Sequence, residues 1–561
     1  MSPHWLWRAA FILSALSLTV SIIKVLPGLI EKGLSDKTCN LHTQHKTVHF
    51  GQKKSVSMHP QFHNELSEQQ SLMRTRLTDI ESTVLFHRAI SGGIVITKDI
   101  SFGRYYAQRD LQGWTLAYNN FSFEVIEQSF RTSVKLSDFS VFVCLGIQSQ
   151  DKHCIKPSSF RLLSQAQKYN QIHGLRDILW KKDAFCYTLR EALSSYRGRK
   201  NFTFPCWVLP MDQDKLQTVM EQKQSNWIVK PSGQGEGHGI FVVNSFDEIA
   251  KHKSFNNFVV QPLLKDPFLV NGKKFDFRTY VLVTSITPLR AYIYKEGLVR
   301  LASSKYDRNA TKGGKEQQFL TNTSIGKKYT HLANLTWTFE KLKNYFDHIG
   351  VDSDRVFENL NEAIVRTLLT SEYRFSKHFA ANLGGYDCHN CFQLLGVDVI
   401  IDSNLQPIVI EVNGLPSMQL SHELGAPPDP NNPYTATKYG LMHDMLQILF
   451  QPNSAVDELI ADLQFLKVGL SPGPLCNLYH HTACIDYKEV QKLIDSKREF
   501  VNKGGFERIY PSTDGQKYSK LIHHMHDLIL RKFGTLQLPR TLWKVHHLYT
   551  AIERLNYAHF L

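Results

Sequence analysis

CFQLLGVDVIIDSNLQPIVIEVNGLPS, residues 391–417, holds two runs rich in Val, Ile and Leu on either side of the turn-forming DSNLQP. Such runs read as the two antiparallel strands of a hairpin, because branched side chains pack well on a pleated surface and Asp, Ser, Asn and Pro favour chain reversal. With the turn centred between Asn404 and Leu405, Asp398 falls opposite Glu411. Asn413 shares the face of Glu411, since strand side chains repeat every second residue. Two carboxylates and an amide then converge. Hard oxygen donors, too few to close a cage, suit Mg²⁺ that keeps waters and shares phosphate oxygens with a nucleotide. A one-residue bulge would break this register, and a solvated hairpin with scattered polar residues fits the same letters.

Upstream, KKFDFRTYVLV (273–283) alternates so that Lys274, Asp276 and Arg278 share one face while Phe275, Phe277 and Val281 share the other. A cation, a carboxylate and a guanidinium in line suit a surface that grips phosphate, with Arg binding in bidentate fashion and Lys as a point charge. An exposed strand with cross-strand ion pairs reads the same way. WIVKPSGQGEGHGIFVV (227–243) places Lys230 at the end of a strand, before a loop with Gly233, Gly235, Gly237 and Gly239 and then a second strand. So bare a loop can lie over a triphosphate and offer its backbone N–H groups. It is not a P-loop, because neither GxxxxGK[ST] nor a helix follows.

In this order, WIVKP, the glycine-rich loop, VVQPLL, KKFDFRTYVLV, EGLVR, LTN and EVNGLPS resemble the tubulin-tyrosine-ligase-like family. NQIHGLRDILWKKDAF (170–185) and FPCWVLP (204–210) fit the same pattern, so the resemblance covers about residues 95–450. It implies an α/β (α+β) chain with an ATP-grasp fold that joins an amino acid to a carboxylate, using ATP and two Mg²⁺ ions. Carried over by position, it assigns ATP phosphates to Lys230 and Lys274, with Asp276 beside them. It assigns the adenine to Gln261 and Leu264, the metal to Asp398, Glu411 and Asn413, and the reacting carboxylate and γ-phosphate to Arg278, Arg300 and Thr321. Lys182 adds positive charge from the amino-terminal side. The implied reaction activates the acceptor as an acyl-phosphate, which the amine of the incoming amino acid attacks. Two positions depart from the pattern: Gln393 stands where the family shows Glu, and Phe319 where a His precedes LTN. Each removes a polar function next to the site.

The 561 residues, 42% hydrophobic, are enough for two or three structural units. The net charge of +14 favours an acidic partner. Glutamate-rich tubulin or microtubule tails suit both charge and family, with free glutamate as the second substrate, whereas no RNP, zinc-finger or arginine-rich tract supports nucleic acid. A glycylase, a glutamate ligase for another acidic protein, and a membrane-tethered microtubule-binding protein with a vestigial site are the alternatives.

From Ala9 to Ile23 the chain is almost wholly apolar, Lys24 interrupts it and VLPGLI extends it to Ile30, which reads as a signal anchor behind a short tail, 1–8, with a cleaved secretory signal as the alternative. Lys24, Lys32, Lys37 and Lys46 follow it while only Arg8 precedes it, so the positive-inside rule makes this a single-pass membrane protein with a cytosolic catalytic part. Five N-x-[ST] triplets, at Asn120, Asn201, Asn309, Asn322 and Asn334, suit a lumenal orientation instead, but a glycan on Asn322 would block the LTN segment. Nine cysteines without disulfide-module spacing lean towards a reducing compartment, and CHNC (388–391) reads as core or loop rather than zinc. A polar stem follows at 31–90 with an amphipathic stretch near Leu66–Val84. The first part of the ligase domain occupies 91–210, the ATP-grasp catalytic domain 211–450, and a helical extension 451–561.

Overall fold

A computed structural model describes residues 107–109, 115–118, 141–143, 167–198, 201–223, 225–235, 237–252, 255–307, 318–319, 321, 335–416, 433–450, 456–466, 468–470, 483–514, 516–533 and 537–558. The signal anchor, the stem and its amphipathic stretch lie outside them. Among the described residues no helix is long and apolar enough to cross a membrane. The chain divides into two compact units, residues 1–75 with 463–487 and residues 76–462 with 488–561. In the smaller, the described strands are β16 (Val468–Leu470) and β17 (Ala483–Ile485), paired in parallel.

The larger unit is mixed α/β, built on two sheets. The main sheet orders its strands as β1 (Ala107–Arg109), β2 (Thr115–Tyr118), β3 (Val141–Val143), β4 (Lys168–Asn170), β14 (Cys391–Ile401), β10 (Lys273–Ile286), β11 (Leu289–Tyr294) and β18 (Phe506–Tyr510). Side strands are β9 (Leu269–Val270) and β12 (Leu298–Leu301) on β10, β13 (Thr336–Thr338) on β12, and β15 (Pro407–Asn413) on β14. The second sheet orders β5 (Trp207–Val208), β8 (Phe258–Pro262), β6 (Trp227–Pro231) and β7 (Phe241–Val243). Its apolar side packs Trp227, Val229, Phe258 and Val260 against Leu216 and Met220 of α2 (Gln213–Gln222) and Ile249 of α3 (Phe246–Ala250).

The main core is larger because β10 and β14 are buried along both faces. The alternation in KKFDFRTYVLV therefore separates an apolar face from a charged one, but the charged face is also covered. Beneath the sheet runs α5 (Ser353–Asn382), thirty residues long, started by Asp352, whose carboxylate accepts from the Arg355 backbone N–H at 3.0 Å. Before it come α1 (Lys182–Leu193) and α4 (Phe339–His348). After it come α6 (Pro433–Phe450), α7 (Val456–Phe465), α8 (Tyr487–Val501), α9 (Gln516–Phe533) and α10 (Gln537–Ala558). Among the described residues the carboxyl-terminal extension is thus mainly helical, yet β18 from its middle joins the edge of β11.

The 391–417 hairpin forms, and Asp398 does pair with Glu411. The route differs from the one the letters suggested. The turn centres on Asn404, so that Ile401 faces Pro407 and Ile400 faces Ile408, and Asp402 Oδ1 accepts from the backbone N–H of Asn404 and Gln406. A register shift between Asp398 and Val399 leaves Ile410 as the extra residue, and this one-residue bulge moves Glu411 opposite Asp398. The bulge that threatened the register creates it.

Candidate active site

Cross-strand pairing turns the charged face of β10 into an ion network. Asp276 lies opposite Arg300 of β12, and Arg278 lies opposite Asp398 of β14. Arg300 Nε and Nη2 donate to the two oxygens of Asp276 at 2.6 and 2.9 Å, and the same Nη2 reaches Asp398 Oδ2 at 2.8 Å. Arg278 grips Asp398 at 2.5 and 3.0 Å, and the Thr321 hydroxyl donates to Asp276. The result is an alternating chain, Asp276–Arg300–Asp398–Arg278, in which only Arg278 keeps an appreciable edge in solvent, at 17% side-chain exposure. Burial by itself would raise the pKa of Asp398, but Arg278 and Arg300 outweigh it and hold the carboxyl well below the usual carboxylate range. Gly396 leaves room for this arrangement: a Cβ there would come within 3.2 Å of Arg278 Cδ and 3.0 Å of Pro416 Cβ.

Two lysines stand at the edge of the network. Lys274 donates to the Phe319 carbonyl at 2.6 Å. Burial pulls its pKa down to about 8, with Asp276 opposing and Arg300 adding to the fall. Phe319 therefore contributes its backbone, which any residue would supply, while its ring packs edge-on against Tyr306. On the second sheet, Lys230 donates to Gln261 Oε1 at 2.8 Å across the β6–β8 ladder. Burial again lowers its pKa to about 8; Glu411 and Asp398 raise it, while Lys182 and Lys274 lower it. Lys230 on one sheet thus lies within the field of carboxylates on the other.

Glu411 closes the gap. Its Oε2 is 3.5 Å from Lys182 Nζ, and its Oε1 accepts from Asn413 Nδ2 at 3.1 Å. Lys182, in the first turn of α1, also donates to the Gln234 carbonyl at 2.8 Å, and the Asp183 N–H reaches Ser232 Oγ at 3.4 Å. These bonds fasten the glycine-rich loop to the helix start, a role for Ser232 and Gln234 that no motif in the sequence marked. Leu264 stands apart from these contacts: three residues beyond Gln261, its carbonyl accepts from the Tyr306 hydroxyl at 3.1 Å. Gln393 donates its amide to the carbonyls of Leu394, at 3.1 Å, and Gly414, and among the described residues its Oε1 has no partner.

The donor set fits an oxygen-bound divalent cation. Glu411 and Asn413 are half-buried on adjacent same-face positions, whereas guanidinium N–H groups already use three of about four lone-pair directions on Asp398. A cation here would draw its remaining positions from water and phosphate, the habit of Mg²⁺.

The cysteines depart from expectation. Cys186 of α1 and Cys206 are disulfide-bonded with Cα atoms 5.9 Å apart, and Cys388 is bonded to Cys391 at the start of β14. Cysteine spacing alone did not show either pair, because the partners of the first meet only when α1 packs beside β5.

A family model described as the tubulin-tyrosine ligase family matches residues 160–447. The chain is similar to human tubulin monoglutamylase TTLL4, with 31% identity over 412 residues, covering 65% of this chain and 33% of the relative. It is 28% identical to human tubulin polyglutamylase TTLL6 over 374 residues, covering 64% of this chain and 40% of that one. It is 29% identical to Caenorhabditis elegans tubulin polyglutamylase ttll-4 over 357 residues, covering 62% and 56%. The chain spans between a third and just over half the length of these relatives.

Proposed function

Because a family model matches just over half of its length, the chain belongs to the tubulin-tyrosine ligase family, and from that we propose an ATP-dependent ligase that adds glutamate to glutamate side chains of tubulin tails. The observation that carries the reading is the pairing of Asp398 with both Arg278 and Glu411, which sets a guanidinium row and an oxygen-donor pair side by side. The names of the relatives support the acceptor, and the net charge of +14 suits an acidic tail.

In this reading Lys230 and Lys274, one on each sheet, hold the phosphates of ATP. Gln261 orients Lys230 through its Oε1 and, with Leu264 beyond it, meets the adenine. Asp398, Glu411 and Asn413 hold Mg²⁺, two ions in all, whose charge offsets that of the phosphates. Arg278 faces the acceptor carboxylate as it takes the γ-phosphoryl group, Arg300 adds its charge from behind through Asp398, and Thr321 fixes Asp276 so that Arg300 stays in place. Buried, preset donors of this kind stabilise developing charge without reorganising. The amine of free glutamate then displaces phosphate from the acyl carbon.

The catalytic unit follows the boundaries 91–210 and 211–450, with 451–561 as a carboxyl-terminal extension, and residues 9–30 tether it to a membrane with the catalytic part in the cytosol. The Cys186–Cys206 bond counts against that side, because disulfides are rare in a reducing cytosol, so protease accessibility in sealed microsomes decides: digestion of the catalytic part supports the cytosolic placement and protection overturns it. For the activity, the purified chain is incubated with tubulin, ATP, Mg²⁺ and glutamate or glycine in turn, and tubulin peptides are weighed by mass spectrometry. A glutamate adduct, lost in Glu411→Gln by about 10²-fold or more, is expected. A glycine adduct, or adducts indifferent to Glu411→Gln, would count against the proposal.

A further inference from the structure

Away from the active site, three metal-ligating side chains meet where three helices pack. Glu372 comes from α5, His526 from α9 and His546 from α10, and one ligand atom of each lies within 4.8 Å of the others. Their residues are 1%, 5% and 2% exposed. His546 Nε2 sits 3.0 and 3.2 Å from the two oxygens of Glu372, and its Nδ1 is 2.6 Å from the Tyr510 hydroxyl on β18. His526 is the member without a role. Its Nε2 is buried and has no hydrogen-bond partner among the described residues. Leaving a buried polar group unpaired is costly, because the group has lost its water and gained nothing in return. The Glu372–His546–Tyr510 hydrogen bonds account for three of the four residues as a structural relay, and they do nothing for the fourth.

We propose that Glu372, His526 and His546 form a Zn²⁺ site, with water in the fourth position, that pins α9 and α10 to α5. Two imidazoles and one carboxylate are a donor set zinc takes readily, and without a thiolate or an oxygen-rich shell the set suits zinc better than Mg²⁺ or Ca²⁺. In a tetrahedral site with bonds of about 2.0–2.1 Å, neighbouring ligand atoms stand about 3.3 Å apart. The His546–Glu372 separations are already close to that, and His526 has only to swing inward. Tyr510 completes the shell as the outer partner that fixes the His546 tautomer. With the metal on Nε2, the single ring proton of His546 would sit on Nδ1 and be donated to the Tyr510 hydroxyl oxygen.

The test uses the full chain, stripped with a chelator and dialysed, then titrated with ZnCl₂ against a competing chromophore. One tight equivalent is expected, weakened at least tenfold in His526→Ala and retained in Glu411→Gln, which separates this site from the active-site carboxylates. Should His526→Ala fail to fold, CoCl₂ titration of the unaltered chain decides. Four-coordinate nitrogen and oxygen ligation shows visible ligand-field bands of high intensity without a thiolate charge-transfer band. No tight equivalent in the unaltered chain, equal binding by folded His526→Ala, or a cobalt spectrum with thiolate bands that points to cysteine ligands would each overturn the assignment.

Discussion

Replacing Arg300 with Met should be among the most damaging single changes in the catalytic sheet. The side chain is 8% exposed, and its loss removes two hydrogen bonds from Asp276 and one from Asp398, carboxylates that are themselves 6% and 5% exposed. Asp398 keeps both bonds from Arg278, whereas Asp276 keeps only Thr321 among the contacts described above. Removing one partner of a buried pair costs about 3–5 kcal/mol, because the stranded charge has no water to return to. An exposed pair would lose about 1 kcal/mol or less, so the two cases are well separated. The assay is urea unfolding followed by tryptophan fluorescence. Arg300→Met should lower stability by about 3–5 kcal/mol at neutral pH, and Asp276→Asn in the same chain should restore part of that by removing the stranded charge. The pH dependence has a definite sign. Asp398 folds with its pKa below the unfolded value of about 3.9, so its contribution is present above that pH and is lost as pH falls towards the folded value. Without Arg300 the folded pKa climbs, and the gap between variant and parent should narrow in acid. A loss within 1 kcal/mol of zero, or strict additivity of the two substitutions, would refute the idea of a buried, coupled network.

Three further outcomes are expected. Lys230 and Lys274 have folded pKa values near 8, below the unfolded value of about 10.4, so folding stability should rise with pH across that window while ATP affinity falls up to tenfold per pH unit for each lysine that loses its charge. Calorimetric titration with ATP on either side of pH 8 checks this, and Lys230→Met should flatten the profile. Gln393→Glu would set a carboxylate against the Leu394 and Gly414 carbonyls, so it should cost about 2–4 kcal/mol at neutral pH and recover in acid, read from urea midpoints. Breaking the Cys186–Cys206 link, twenty residues apart, should cost about 3 kcal/mol; reductant should lower the thermal midpoint of the parent chain more than that of Cys186→Ser.

Much of the site was legible because strand periodicity is strict. Asp398, Glu411 and Asn413 fell on one face from counting alone, and Lys274, Asp276 and Arg278 lay in line for the same reason. What periodicity cannot show is which strand lies next to which. The bond from Arg300 to Asp398 requires β12 and β14 to flank β10 on opposite sides, and the bond from Lys230 to Gln261 requires β6 beside β8. The bulge at Ile410 was hidden too: a turn half a residue from its assumed centre and one extra residue in β15 compensated each other, so a correct pairing came from an incomplete picture. Local pattern marked the helical extension at 451–561 but missed β18, whose pairing with β11 depends on contacts distant in sequence.

The late arrival of β18 has a bearing on how the protein is made. The edge of β11 and the Arg290 guanidinium leave the ribosome long before their partners, since Arg290 is held by Glu499 of α8 at 2.9 and 3.0 Å and β11 is closed by Phe506–Tyr510. Roughly two hundred residues separate them, about 10–40 s of synthesis, during which the nascent chain carries an open strand edge and an unmatched cation. Nascent-chain binding factors that cover strand edges should therefore engage this protein late in translation, and a stop codon before residue 506 should yield a product that aggregates rather than a weaker enzyme.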